Sequence, residues 1–228
     1  MLEDLTIIDL TDERGIYGAK LLSDLGANVI RPEPRDGDPL RKRGPLHETK
    51  DPDLVSLWYA FFASNRRFFS LSLEDENECQ ALQHLISRAD IILRCDNHFT
   101  EPVIDTDTLI KENPNSILID MSSFGKVGPW KDYLAPDLVA GALGGSAATT
   151  GDFDTPPLKG FGELNFMVSG AYLAIAALSA LYDRGDSGSG QSASISVHEA
   201  IASCLEHVFM FYWYADTLDR KEGKVLPR

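Results

Sequence analysis

Basic side chains are concentrated in one stretch of an otherwise acidic chain. Residues 31–67 hold eight Lys and Arg against six Asp and Glu, whereas the 228 residues together hold 21 against 35, a formal charge of −14. Binding a nucleic-acid backbone needs clustered basic side chains, so the overall charge argues against a nucleic-acid partner. The basic stretch is suited to one small polyanion, and a solvated charged loop is the alternative interpretation.

Several common catalytic and metal-binding patterns are absent from the sequence. The segment 11–18 has two glycines but not the G-x-G-x-x-G of a dinucleotide site, and no Walker loop occurs. The three cysteines form no C-x-x-C pair. His198 and His207 stand nine residues apart in one predicted helix, where metal ligands would be three or four apart. The sequence therefore predicts no metal site and argues against nicotinamide and nucleoside triphosphate chemistry.

Apolar runs and helical patterns alternate along the first half of the chain. Short strands are predicted at 5–10, 28–31, 69–73, 90–94 and 116–121, with helices at 17–25, 74–89 and 105–112. Such alternation predicts an α/β fold, in which a mainly parallel sheet carries helices on both faces. Pro32 and Pro34 are expected to end the second strand, and residues 35–52 are predicted to form a long loop.

The second half of the chain contains one long apolar segment. Residues 164–182 include no charged side chain and are long enough to cross a bilayer. Their wealth of Ala, Ser and Gly favours a buried central helix, with a membrane span as the lesser alternative. The N-terminus lacks the basic region of a signal peptide, so a cytoplasmic location and no membrane partner are expected. Further helices are predicted at 136–144 and around 209–214, and a strand at 193–197.

Six short motifs occur in the order found in one enzyme family. They are Asp9-Leu-Thr11; residues 21–30 with Glu33 and Gly37-Asp-Pro39; Asn65-Arg66 with Ser70-Leu-Ser-Leu73; Ser123-Phe-Gly-Lys-Val-Gly-Pro129; Ala148-Thr-Thr-Gly151 with Asp154-Thr-Pro-Pro157; and Gly188-Ser-Gly-Gln191. Spread over about residues 5–200, they resemble the class III CoA-transferase family of the formyl-CoA transferase and carnitine CoA-transferase type.

That resemblance implies a Rossmann-like CoA-binding domain, here residues 1–215, which forms the N-terminal large domain of an interlocked dimer. Residues 216–228 would then begin the linker to a small domain that is missing from the sequence. The family moves CoA from an acyl-CoA to a carboxylic acid through aspartyl mixed-anhydride and aspartyl-CoA intermediates, which is nucleophilic catalysis by a carboxylate. Coenzyme A and acyl-CoA are the implied substrates, without a metal.

The family's nucleophilic aspartate is replaced in this sequence. In the family it stands four residues before the glycine of the apolar helix, and counting back from Gly170 gives Phe166, whose ring cannot attack a thioester. Glu163 is a weak candidate for a relocated carboxylate, and a solvated or capping glutamate is the alternative. Racemases of the superfamily also use a His-Asp pair, which is Pro136-Asp137 here, so racemisation is excluded.

Five side chains are the predicted CoA contacts. Arg14, in the loop after the first strand, and Arg35, beside the second, are preferred over Asn65, Arg66 and Lys126. Two family motifs near them are altered: the small-glycine-lysine stretch is replaced by residues 67–69, and Asn-Phe-x-Pro-Gly by residues 94–98.

The leading hypothesis is a transferase subunit that lacks its own nucleophile. Its partner would be a paralogous subunit that bears the aspartate, in an interlocked dimer or heterotetramer, as in the succinyl-CoA:benzylsuccinate transferases built from two unlike subunits. The alternatives are a non-enzymatic acyl-CoA-binding or regulatory protein, a homodimeric transferase that uses Glu163, and a decayed fragment.

Overall fold

The computed structural model describes residues 1–48, 54–96, 98–100, 105, 107–108, 111, 113–152 and 154–215. The strands are β1 Thr6–Leu10, β2 Asn28–Pro34, β3 Leu46–Glu48, β4 Leu54–Ser56, β5 Arg66–Leu71, β6 Ile91–Cys95, β7 Ile117–Ser122 and β8 Ser192–Ser196. The helices are α1 Ile16–Asp24, α2 Leu57–Phe62, α3 Glu76–Ser87, α4 Asp137–Leu143, α5 Leu164–Ser187, α6 Val197–Ser203 and α7 Glu206–Ala215. Pro39–Lys42 and Ala147–Thr149 are short 3-10 helices.

Six of the strands form one sheet in the order β5-β2-β1-β6-β7-β8, and β3 pairs with β4 in a separate hairpin. The pairs β1–β2, β1–β6, β2–β5 and β6–β7 are all parallel. Crossover connections are right-handed, so connections that lead to opposite sides of β1 place their helices on opposite faces of the sheet. This confirms the predicted α/β class, and the strand order is that of the Rossmann fold.

The central strands are buried on both faces. Ile8 on β1, Ile92 on β6 and Leu118 on β7 pack in one cluster with Leu82 and Ile86 of α3. Continuous apolar strands of this kind are typical of parallel sheets, which are covered by helices on each side.

The second strand continues through both of its prolines, so the prediction that Pro32 and Pro34 end it was wrong. Pairing with β1 stops at Ile30, whereas pairing with β5 extends from Val29 to Pro34. Beyond Ile30 the strand therefore has a neighbour on one side only. Proline is tolerated there because its missing N–H can fall on the open side.

The predicted last helix is two helices. It breaks between α6 and α7, where the amides of Cys204 and Leu205 bond to carbonyl oxygens three residues earlier. This tighter spacing is the 3-10 type that ends α-helices. His198 and His207 consequently lie in different helices.

Other differences concern short elements. The predicted loop 35–52 contains the 3-10 helix Pro39–Lys42 and strand β3, and α2 was not predicted. The fifth strand begins at Arg66, three residues before the predicted start. Half of the predicted helix 105–112 and all of the predicted linker 216–228 lie outside the described residues.

The chain divides into two compact units. The first comprises Met1–Met121 and Gly170–Ala193, and the second comprises Ser122–Ser169 and the residues from Ser194 onward. The predicted boundary at residue 215 stays a prediction.

The apolar helix α5 is confirmed and continues to Ser187. By length and composition it could cross a membrane, and it alone among the described residues passes that test. Leu173 and Ala177 are fully buried inside the protein. Ile175 and Tyr182 on the same helix are exposed, so one face of α5 packs inside the protein and the other does not.

Within the first unit, α1 and α5 touch backbone to backbone through Gly18 and Gly170. A Cβ atom added at Gly18 would lie 2.4 Å from the carbonyl oxygen of Gly170, and one added at Gly170 would lie 2.8 Å from the amide nitrogen of Gly18. Backbone atoms cannot move aside as a side chain can, so this crossing requires glycine on both helices.

We expect Gly170→Ala to lower the free energy of unfolding by about 1–3 kcal/mol, because the added methyl group overpacks the helix crossing. Gly185→Ala on the same helix is the matched control, since nothing lies within 4 Å of its Cβ position. The control should be neutral or stabilising by up to about 1 kcal/mol. Urea unfolding measures the free energy of unfolding of both variants. Equal changes in Gly170→Ala and Gly185→Ala would contradict the close contact between α1 and α5.

Candidate functional site

A cavity of about 230 Å³ opens at the carboxyl ends of the central strands in the first unit. Its wall is formed by residues that follow β1, lie on or after β2, and follow β6: Thr11, Asp12, Glu13, Arg31, Pro32, Pro34, Asp38, Pro39, Leu40, His98 and Phe99. The strand order reverses between β1 and β6. Ligands of open α/β sheets bind in the crevice at this reversal, so the cavity is the candidate binding site.

A fully buried carboxylate lies behind the cavity wall. Asp9 accepts hydrogen bonds from the Thr11 amide at 3.1 Å and hydroxyl at 2.6 Å. Its other oxygen accepts from Arg31 at 2.9 Å and from Arg66 at 2.6 Å. Burial alone would raise the pKa of Asp9, but the two guanidinium groups and Thr11 hold that pKa below its usual value. The carboxylate therefore stays ionised and fixes β1, β2 and β5 to one another.

The guanidinium of Arg31 is shared between two carboxylates. Its Nη1 bonds to Asp9, while Nε and Nη2 reach the same Asp38 oxygen at 2.8 Å and 2.7 Å. Asp38 also accepts from the Leu40 amide at 2.9 Å, which caps the 3-10 helix Pro39–Lys42. Arg31 thus contributes a planar surface to the cavity wall, and the carboxylates of Asp9 and Asp38 neutralise its charge.

Arg14 joins two edges of the cavity. It pairs with Asp12 at 2.5 Å and with Asp96 at 2.6 Å, and it donates to the Asp96 carbonyl at 3.1 Å. Asp12 follows β1 and Asp96 follows β6, so one buried side chain ties together the loops on either side of the strand-order reversal.

His98 forms part of the wall beside Phe99, at 4.7 Å between ring centroids. Its Nδ1 lies 2.9 Å from the hydroxyl of Thr100 and 3.5 Å from the amide of Thr100. Burial, and then the positive charge of Arg31, lower the pKa of His98 to about 4. The imidazole is therefore neutral at physiological pH.

Four of the five predicted CoA contacts lie in the first unit, where each is engaged by other parts of the protein. Arg35 is exposed and pairs with Glu78 at 2.5 Å, and Asn65 donates to Asp24 at 2.7 Å from a left-handed backbone. The Arg66 side chain is completely buried, bonded to Asp9 and to the carbonyls of Ile16 and Phe62.

Lys126 is exposed in the second unit. None of the five predicted residues is among the described residues that line the cavity. Their CoA contacts stay predictions.

A second cluster lies at the start of α5, within the second unit. The buried carboxylate of Asp137 accepts from the amide of Phe166 at 3.0 Å and from the Asn165 side chain at 3.0 Å, and it pairs with Lys159 at 3.1 Å. The Phe166 ring is itself only 3% exposed. Glu163 directly precedes the helix and is half-buried, with its carbonyl accepting from the Met167 amide at 2.9 Å. Asp137 therefore caps the helix at the position where the sequence resemblance expects a nucleophile.

The residues that build these sites were not singled out as ligand contacts by the sequence. Asp9 and Arg31 lie on β1 and β2, Asp38 and His98 follow β2 and β6, and Asp137 opens a helix. Position on or just after neighbouring parallel strands is the signal that could have identified the first four. No group of three or more potential metal ligands occurs among the described parts of the chain.

In a comparison with protein families, the chain matches CoA-transferase family III over residues 2–227. The chain is 29% identical to the succinyl-CoA:(R)-benzylsuccinate CoA-transferase subunit BbsE of Thauera aromatica, covering 96% of this chain and 54% of that protein. It is 31% identical to the formyl-CoA:oxalate CoA-transferase of Streptomyces avermitilis, and the match covers 88% of this chain and 48% of that protein. The chain thus spans about half the length of the curated relatives it matches.

Among solved structures, a CaiB/BaiF family protein from Brucella suis has the same fold, with a TM-score of 0.90 at 24% identity over 99% of this chain and 61% of that one.

We expect Asp137→Ala to lower the free energy of unfolding by about 2–4 kcal/mol, because it leaves the Phe166 amide, the Asn165 side chain and Lys159 without their shared acceptor. The exposed Asp154 supplies the control, and Asp154→Ala should change stability by less than about 0.5 kcal/mol. Chemical unfolding of both variants measures the difference. A loss under about 1 kcal/mol for Asp137→Ala would contradict the capping role.

We also expect His98 to make stability depend on pH. Its folded-state pKa of about 4 lies below the usual value of about 6.5, so the unfolded chain binds a proton that the folded chain does not. The contribution of His98 to the free energy of unfolding is fully present above pH 6.5 and is lost as the pH falls towards 4. Between pH 7.5 and pH 5 the loss is about 2 kcal/mol.

Urea unfolding at the two pH values should therefore show a smaller acid loss for His98→Gln than for the unmodified protein. An identical loss in the two proteins would show that His98 titrates normally.

Proposed function

Because the chain belongs to CoA-transferase family III, we propose that it is the non-nucleophilic subunit of a heteromeric transferase. The complex moves CoA from an acyl-CoA, such as succinyl-CoA, to a carboxylic acid. Its partner is a paralogous subunit that carries the nucleophilic aspartate, in an interlocked dimer or heterotetramer in the cytoplasm. The likeness to BbsE, which its name describes as a subunit, supports this proposal.

The observation that carries the proposal is the buried ring of Phe166 at the start of α5. The family's reaction needs a carboxylate there, which attacks the thioester carbonyl while the C–S bond breaks and CoA leaves as the thiolate. A phenyl ring has no lone pair for that attack. The Phe166 amide is held by Asp137, so the backbone at this position is well fixed although the nucleophile is missing.

This subunit supplies a CoA-binding surface at the strand-order reversal. The acidic side chains of the wall are paired: Asp12 with Arg14, Glu13 with Arg43 at 3.6 Å, and Asp38 with Arg31. Proline, leucine and phenylalanine side chains form much of the remaining wall. Such a lining favours the base of CoA, and the exposed guanidinium of Arg35 beyond β2 is the proposed phosphate contact.

Arg14 acts in this proposal by holding the cavity open, since its guanidinium is engaged by Asp12 and Asp96. Arg66 acts by neutralising Asp9. Asn65 and Lys126 stay predicted contacts.

We expect the purified chain alone to catalyse no CoA transfer, and the chain co-expressed with an aspartate-bearing paralogue to transfer CoA from succinyl-CoA to acid acceptors. The physical reason is that only the paralogue offers a carboxylate at the start of its apolar helix. Chromatography of acyl-CoA products measures the transfer. The matched control replaces the paralogue's aspartate by asparagine and should abolish activity.

Robust transfer by the chain alone would contradict the proposal, and its loss in Glu163→Gln would then identify the relocated carboxylate. Tight acyl-CoA binding without transfer in any combination would favour a binding or regulatory protein instead.

A further inference from the structure

His98 is a polar group on the cavity wall that the sequence resemblance does not assign to any step. The family's Asn-Phe-x-Pro-Gly motif is altered at residues 94–98, so this chain presents an imidazole at a place where the family pattern does not hold. His98 lines the cavity and packs against Phe99, with the two ring planes tilted by 46°. Its position is thus defined by packing as well as by hydrogen bonds.

The contacts of His98 select one tautomer. Both contacts from Thr100 fall on Nδ1, and a backbone N–H can only donate, so Nδ1 is assigned as the acceptor. In a neutral imidazole the hydrogen then resides on Nε2. His98 is therefore set up to offer a hydrogen-bond donor without a charge.

The charges around His98 indicate what kind of ligand group that donor would meet. Asp12, Glu13 and Asp38 line the same cavity, and Arg31 is the one basic side chain among the described lining residues. Since Arg31 is already bonded to Asp9 and Asp38, the wall offers no spare positive charge to a phosphate. A neutral ring that accepts a hydrogen bond through a ring nitrogen and donates through an amine matches this wall.

We propose that His98 is a specificity-determining residue for the base of CoA. Its Nε2–H donates to N1 of the adenine, and the carboxylates of the wall, which can accept further hydrogen bonds beside their arginine partners, favour the adjacent exocyclic amine. This inference rests on the proposed function, because it requires CoA to bind in the cavity at the strand-order reversal.

The test compares CoA with 1,N6-etheno-CoA, in which the ring nitrogen and the amine are both blocked. Calorimetric titration of the unmodified protein should show weaker binding of the etheno compound. His98→Phe keeps a ring of similar shape but removes the donor, so its affinity for CoA should fall about 3- to 10-fold. In His98→Phe the preference for CoA over the etheno compound should also become smaller. A purely structural role of His98 would weaken the binding of both compounds equally and leave that preference unchanged.

Two further variants secure the result. His98→Gln offers an amide donor and should recover part of the preference for CoA over the etheno compound. If His98→Phe does not fold, His98→Gln takes its place in the test. His84→Phe alters an exposed histidine on α3 and should leave both affinities unchanged.

The outcomes separate the two proposals. If the unmodified chain binds CoA but the His98 variants keep its full preference over the etheno compound, the role of His98 is overturned and the proposed function stands. If the unmodified chain binds no CoA, alone or with its paralogue, the proposed function fails as well.

Discussion

The buried ion-pair network around Asp9 constrains the rest of the first unit. Removing a carboxylate and two guanidinium groups from water costs several kcal/mol per ion, and well-placed partners must offset that cost. The Asp9 carboxylate has such partners in Thr11, Arg31 and Arg66, which come from the end of β1, from β2 and from β5, whereas the buried Nε of Arg66 has none. These bonds fix the positions of β1, β2 and β5 relative to one another beside the cavity.

Much of the fold could be predicted because its strands are short, apolar and separated by amphipathic helices. The site was harder, since a sequence does not distinguish an arginine that meets a ligand from one that neutralises a buried carboxylate. Arg66 is of the second kind, whereas Arg35, equally basic in sequence, is exposed. His98 was missed because its role depends on which strands are neighbours, and that order appears only in three dimensions. The prolines of β2 illustrate the same point, since their tolerance depends on an open strand edge.

In the second unit, the structure fixes the backbone at the position where the sequence resemblance expects a nucleophile. Asp137, Asn165 and Lys159 secure the first turn of α5, and Phe166 fills that turn with a buried ring. In the proposed function, the labour is divided between unlike subunits. The paralogue contributes the reacting carboxylate, and this chain contributes a CoA-binding surface.

The most direct test is to find which subunit becomes acylated. The complex of this chain with its aspartate-bearing paralogue would be mixed with succinyl-CoA and quenched with hydroxylamine, which converts an activated carboxyl to a hydroxamate. Peptide mass spectrometry would then locate the modified residue. We expect a hydroxamate on the paralogue's aspartate, and no modification of Glu163 or Asp137 in this chain. A hydroxamate on Glu163 or Asp137 would contradict the proposed function, because this chain would then carry its own nucleophile.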